Sequence, residues 1–172
     1  MFRHLLVPTD GSDLSDGTIR RAVTYARETG ATITFFHALA NLAMPPQASI
    51  YGDPVLLDPA VLETFSQGER AYAAALLERA RGMAEEAGVR CDTAVGDHPV
   101  VYEAIIEAAS QHGCDLIFMA SHGRRGLAGL LLGSETQRVL THTDLPVLVF
   151  RRPEPAAGNG QEAASAPSAP AC

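Results

Sequence analysis

Two stretches far apart in the chain combine residue types suited to holding a phosphorylated ligand. The first is Val7-Pro8-Thr9-Asp10-Gly11-Ser12. The second is Met119-Ala120-Ser121-His122-Gly123, which continues through Arg124, Arg125, Gly126 and Gly129 to Gly133 and Ser134. Glycines let successive backbone N–H groups turn towards one anion, and a helix starting near Ser134 adds the positive end of its dipole. In this reading Ser134 is both the helix N-cap and a hydroxyl donor to a phosphate oxygen. The competing reading is a flexible loop ahead of an ordinary capped helix, and glycine spacing by itself does not separate the two.

Other side chains in these stretches carry paired readings of the same kind. Arg124 and Arg125 either clamp a phosphate bidentately or sit as solvated charges on a loop. Asp10, at the end of an apolar run and ahead of a helix, either caps that helix or accepts from a ribose hydroxyl or an adenine amino group. Ser12 and Asp13 are better placed to cap, which favours ligand contact for Asp10. His122 either donates to a phosphate or holds the loop, and His37 is expected to pack or hydrogen-bond locally. His4, His98, His112 and His142 form no constellation. Glu135 suits the first turn of a helix through the dipole, but it repels a triphosphate unless its side chain points away.

Composition narrows the chemistry. All 13 basic residues are arginine, which removes P-loop, Schiff-base and lysine-nucleophile mechanisms. A net charge of −7 argues against a dedicated nucleic-acid binder. Cys91, Cys114 and Cys172 are widely spaced with no CxxC, so they read as reduced thiols of a cytoplasmic protein, and a zinc site is not expected. The opening MFRHLLVPTDGS has an apolar run too short for a secretory signal, and no run approaches the roughly 18 to 20 apolar residues that span a bilayer.

The elements that must position these residues alternate. Apolar runs at His4–Pro8, Ala31–His37, Val89–Val95, Asp115–Ala120 and Leu145–Phe150 read as strands. Helical patterns cover about 13–29, with Ile19, Ala22, Val23 and Ala26 on one stripe, then 59–86, 100–112 and 134–141. Such alternation implies a mostly parallel α/β sheet with helices on both faces. Ligands of doubly wound sheets sit beyond the carboxyl ends of the strands, so the two polar stretches meet if the first and fourth strands are neighbours. Residues 38–58 form a long interruption, read as a variable insertion rather than an ordered excursion over the site. The Ala/Pro-rich residues 153–172 lack core-forming side chains and are set aside as a disordered tail, leaving a domain at 1–152.

LLVPTDGS, FFHALA, VGDHPVVYEAI and MASHGRRGLAGLLLGSETQRVLTHTDLPVLVFR together resemble the universal stress protein family over about residues 3–152. The signature of its ATP-binding branch is Gly-x2-Gly-x9-Gly-(Ser/Thr). It falls on Gly123, Gly133 and Ser134, with Ala120 in place of the first glycine. Where Glu135 stands, the family usually has a small or apolar residue. The resemblance implies a doubly wound five-stranded parallel sheet of order 3-2-1-4-5, of the adenine nucleotide alpha-hydrolase-like type. It implies ATP or a related adenine nucleotide at the switch between the first and fourth strands, and leaves open whether Mg²⁺ or Mn²⁺ accompanies the phosphates. Adenine is then expected at Pro8, Thr9, Asp10 and the backbone of Ala38. Ribose and phosphates fall along Met119, Ala120, His122, Gly123, Gly133, Ser134 and Thr136. A homodimer is expected through the last strand, Val147, Leu148, Val149 and Phe150, an apolar edge that pairs unless covered.

The expected function is a nucleotide-binding regulator of the stress response, acting as a dimeric sensor or switch. The alternative is a dimer of the same fold that binds no nucleotide and acts through protein partners. A slow ATPase is the third reading, since no nucleophile–base pair is evident. No flavin, haem, zinc, nucleic acid or membrane partner is expected.

Overall fold

In the computed structural model, residues 1–39, 59–122 and 132–151 are described. The expected insertion from residue 40 onward, Gly123 with Arg124, Arg125, Gly126 and Gly129, and the tail at 153–172 lie outside them.

Consecutive side chains of a strand face opposite ways, and the first strand shows what that does here. In β1 (His4–Pro8), Leu5 and Val7 enter one apolar core and Leu6 enters another, and all three are buried. The strand is therefore covered on both faces, as a central parallel strand must be. The first core is closed by Ile19, Ala22, Val23 and Ala26 of α1 (Asp13–Thr29) and by Leu77, Ala80 and Ala84 of α2 (Pro59–Glu86). The second is closed by Ala104, Ile105, Ala108 and Ala109 of α3 (Val101–Gln111) and by Val139 of α4 (Ser134–His142). The apolar stripe expected on the first helix is thus the buried one.

The remaining strands are β2 (Thr32–Ala38), β3 (Cys91–Gly96), β4 (Leu116–Ala120) and β5 (Val147–Phe150). They form one parallel sheet in the order β3-β2-β1-β4-β5, as expected. β2 and β4 start one residue later than their apolar runs, and β3 and β5 start two later. Val89 is buried, but its N–H is committed to Ala84 at the end of α2, so β3 begins at Cys91. Residues 145 and 146 lead into β5, which begins at Val147.

Register decides which loops meet. Pro8 is opposite Phe36, Leu6 is opposite Ile117, and Ala120 is opposite Phe150. The carboxyl ends of β1, β2 and β4 therefore open on the same side. At the other end, Asp115 fixes β1 beside β4. Its Oδ2 accepts from the Arg3 N–H at 2.8 Å and its Oδ1 from the His4 N–H at 2.9 Å. Burial pushes this carboxyl up, but the His4 and Arg3 donors outweigh it and hold it below its ordinary value.

Ser12 caps α1 by accepting from the Ser15 N–H at 3.2 Å, and Asp13 and Asp16 occupy the first turn, where the helix dipole favours them. Arg79 of α2 pairs with Asp16 at 2.6 Å, linking the two helices of that face. Cys91 and Cys114 are free thiols; burial pushes Cys114 up to about 11, against a hydrogen bond from Thr34, so it stays protonated and unreactive near neutrality. Among the described residues no helix is long and apolar enough to cross a membrane.

Candidate functional site

Beyond the strand ends lies a crevice of about 520 Å³, within the range of small-molecule sites. Its wall includes Pro8, Thr9 and Asp10 after β1, Ala38 after β2, Met119, Ala120 and His122 after β4, and Gly133, Ser134 and Thr136 at the start of α4. These are the residues expected at the site, with the exception of Gly123, which lies outside the described residues.

The β1 exit is built by short polar contacts. Thr9, buried, places its Oγ1 2.6 Å from Ser15 Oγ, and its N–H donates to the Phe36 carbonyl at 2.8 Å. Asp10 Oδ1 accepts from the Ser12 N–H at 3.0 Å, which makes the turn into α1. Asp10 therefore shapes the loop while Ser12 does the capping. Gly11 has φ +77°, and a Cβ there would land on Tyr72 Oη of α2. Tyr72 in turn donates to the Asp10 carbonyl at 3.2 Å, so α2 clasps the loop from outside.

The β4 exit meets α4 at very close range. The Gly133 N–H donates to the Ser121 carbonyl at 2.7 Å, and a Cβ on Gly133 would stand 3.0 Å from His122 Cα. The third glycine of the motif is therefore required for close backbone approach, since its φ of −72° is open to any residue. This geometry corrects one expectation. Ser134 is not the N-cap: Gly133 holds that position in extended conformation, its carbonyl accepting from Gln137 N–H at 3.0 Å, and it makes no side-chain cap bond. Pulling Gly133 onto Ser121 starts the helix one residue earlier than a serine cap would.

Thr136, buried, donates its hydroxyl proton to the Ala120 carbonyl at 3.0 Å and so pins the first turn of α4 to the end of β4. Ala120 itself is a strand residue paired with Phe150. An extended backbone suits alanine, so the departure from glycine carries no strain and amounts to one methyl in the crevice wall. His122 lines the same wall, with Nδ1 3.2 Å from Ser121 Oγ.

Several lining residues were not among those expected. Phe36, Val101 and Ile105 supply apolar walls, and Ser15, His37 and Glu135 supply polar ones. His37 donates from Nδ1 to the Thr9 carbonyl at 2.7 Å, a local bond as anticipated, but the bond joins the ends of β2 and β1 across the crevice floor. The signals available were position alone: the carboxyl end of β2, and the i, i+4 spacing of Val101 and Ile105 in the first turns of a helix.

Chemically, the crevice wall combines apolar side chains of Phe36, Val101, Ile105 and Met119 with a helix start whose first N–H groups have no partner within the helix. A flat apolar body joined to an anionic group fits that combination. The fold and the crevice together define a doubly wound α/β protein with a nucleotide-sized site at its topological switch point.

The universal stress protein family model matches residues 1–151, and the chain belongs to this family. The chain is 31% identical over 156 residues to Universal stress protein MJ0531 of Methanocaldococcus jannaschii, a match that covers 90% of this chain and 85% of that protein. Its fold resembles the solved structure of hypothetical protein MJ0577, with TM-score 0.71, 22% identity and coverage of 90% and 99% of the two chains. It also resembles a universal stress protein solved in complex with cAMP, with TM-score 0.62, 24% identity and coverage of 87% and 97%.

Proposed function

We propose that this protein binds ATP or a related adenine nucleotide in the crevice and acts as a dimeric, nucleotide-responsive regulator of the stress response in the cytoplasm. The observation that carries the reading is the convergence of the β1 exit, Ala38, the β4 exit and the start of α4 on one cavity of nucleotide size. A structural neighbour in complex with cAMP supports an adenine nucleotide as the class of ligand.

In this reading adenine enters between Pro8, Asp10 and Ala38, against the apolar walls. Ribose and phosphates extend along Met119, Ala120, His122 and Gly133 towards Ser134. The uncapped first turn of α4 supplies backbone donors and a positive dipole end for the phosphates, which requires no lysine. Thr136 and Thr9 act as framework, because their hydroxyls are already engaged with Ala120 and Ser15. The homodimer forms along β5, whose outer edge is unpaired among the described residues.

Isothermal titration of the full chain with ATP, with and without Mg²⁺, tests the reading. Saturable binding supports it, and no heat at millimolar nucleotide overturns it. Mass spectrometry of small molecules released from protein purified without added ligand identifies the natural occupant.

A second reading is the same dimer working through protein partners with no nucleotide. The Ala120 methyl and the Glu135 carboxylate in the crevice wall favour it. Ala120→Gly separates the two: binding that appears only in this variant marks the native crevice as a degenerate site.

A further inference from the structure

Glu135 is the second residue of α4 after Gly133 and lines the crevice beside the donors proposed to hold phosphate. Its two carboxylate oxygens differ. Oε1 faces Arg138 Nη1 at 3.3 Å, whereas Oε2 is buried and has no hydrogen-bond partner among the described residues. The side chain is 36% exposed, so the carboxylate is shielded at Oε2 only and stays partly solvated at the end that meets Arg138. The other charged carboxylate of the described wall is Asp10, and no arginine stands among those lining residues.

We propose that Glu135 is a specificity-determining residue that grades adenine ligands by the negative charge they bring, favouring those with few phosphates over the triphosphate. The inference rests on the nucleotide reading above and adds a direction of selectivity to it. The helix start attracts one phosphate through directional N–H donors. Every further phosphate brings charge towards a carboxylate that Arg138 offsets only in part, through a surface ion pair at 3.3 Å to one of its oxygens. For a side chain 36% exposed, a separation of about 8 Å and an effective dielectric of about 60 make each such phosphate cost about three-fold in affinity. A neutral nucleoside is spared this cost, so the penalty rises from adenosine through AMP to ATP.

The test is titration calorimetry of the full chain, as native protein and as Glu135→Gln, with adenosine, AMP and ATP in the absence of divalent cations. Gln keeps the shape and removes the charge. The expected result is an affinity gain of about ten-fold or more for ATP, about three-fold for AMP and less than about two-fold for adenosine. Glu135→Ala, which removes the carboxylate altogether, is expected to give gains in the same order. Equal gains for all three ligands, or none for ATP while binding persists, overturn the charge-grading role and leave the nucleotide reading standing. Absence of binding by all three ligands to native and variant proteins overturns both.

Discussion

His37 Nδ1 donates to the Thr9 carbonyl oxygen at 2.7 Å, tying the last turn-out of β2 to that of β1 directly beneath the crevice. Both residues are buried, so the carbonyl has little access to water if the imidazole is removed. His37→Phe keeps an aromatic ring beside Tyr72, whose centroid lies 5.8 Å away, and deletes only the donor. Urea unfolding should then show a loss of about 1–3 kcal/mol, with weaker nucleotide binding as the β1 exit loosens. A variant as stable as the parent would mean that the bond contributes nothing to the frame.

Gly133→Ala should be more damaging than an alanine in an ordinary helix cap. The new Cβ meets backbone, His122 Cα at 3.0 Å, and relief requires lengthening the 2.7 Å bond from Gly133 N–H to Ser121. The expected cost is about 1–3 kcal/mol in thermal or urea unfolding, with nucleotide affinity falling in parallel because α4 moves off β4. Ser134→Ala, by contrast, removes a hydroxyl that caps nothing and should leave stability close to that of the parent.

Asp115 gives the fold a defined acid sensitivity. Its carboxyl is held below the ordinary value, with the His4 and Arg3 N–H donors overcoming the upward push of burial. A lowered folded-state pKa adds stability above the unfolded value of about 4, and that contribution is lost as pH falls through the folded value. Asp115→Asn should therefore lower the urea midpoint at pH 7 and show a smaller deficit at pH 3. A deficit of equal size at both values would assign the effect to something other than ionisation.

The proposed dimer can be tested without touching the crevice. The carbonyls of Pro146, just before β5, and Phe150, at its end, accept from the Ile117 and Ser121 N–H groups, so by alternation the backbone of Val149 faces the outer edge. Val149→Pro removes an outward N–H, a change that edge strands accept. Analytical ultracentrifugation should show a dimer for the parent and a monomer for the variant, both with native circular dichroism. A variant that remains dimeric places the contact elsewhere.

The parts of this molecule legible in the sequence are those where residue type is tied to one conformation. Gly11, Ser12 and Asp13 announce the turn into α1, and the run at 31–37, rich in Thr, Ile and Phe, reads as a buried strand, found at Thr32–Ala38. The same holds for the two ends of the crevice, because Pro8 and Asp10 are poor core residues placed where a core strand stops, and Gly133 and Ser134 mark the start of a helix. Phe36, Val101 and Ile105 were not legible as site residues, since an apolar side chain reads identically whether it faces a helix or a cavity. Ser134 misled for a related reason. A serine before a helix signals a cap, but the cap was displaced by the approach of Gly133 to Ser121, a contact between segments the sequence does not place together.

The crevice wall draws on the first ten residues of the chain and on the helix that precedes its last strand. A molecule seated there fastens the β1 exit to the start of α4, and local opening of either segment must first release it. By mass action the fastening grows with the logarithm of free ligand concentration. Ligand supply would thus be translated into resistance to proteolysis, so the protein's lifetime in the cell becomes a running record of that supply.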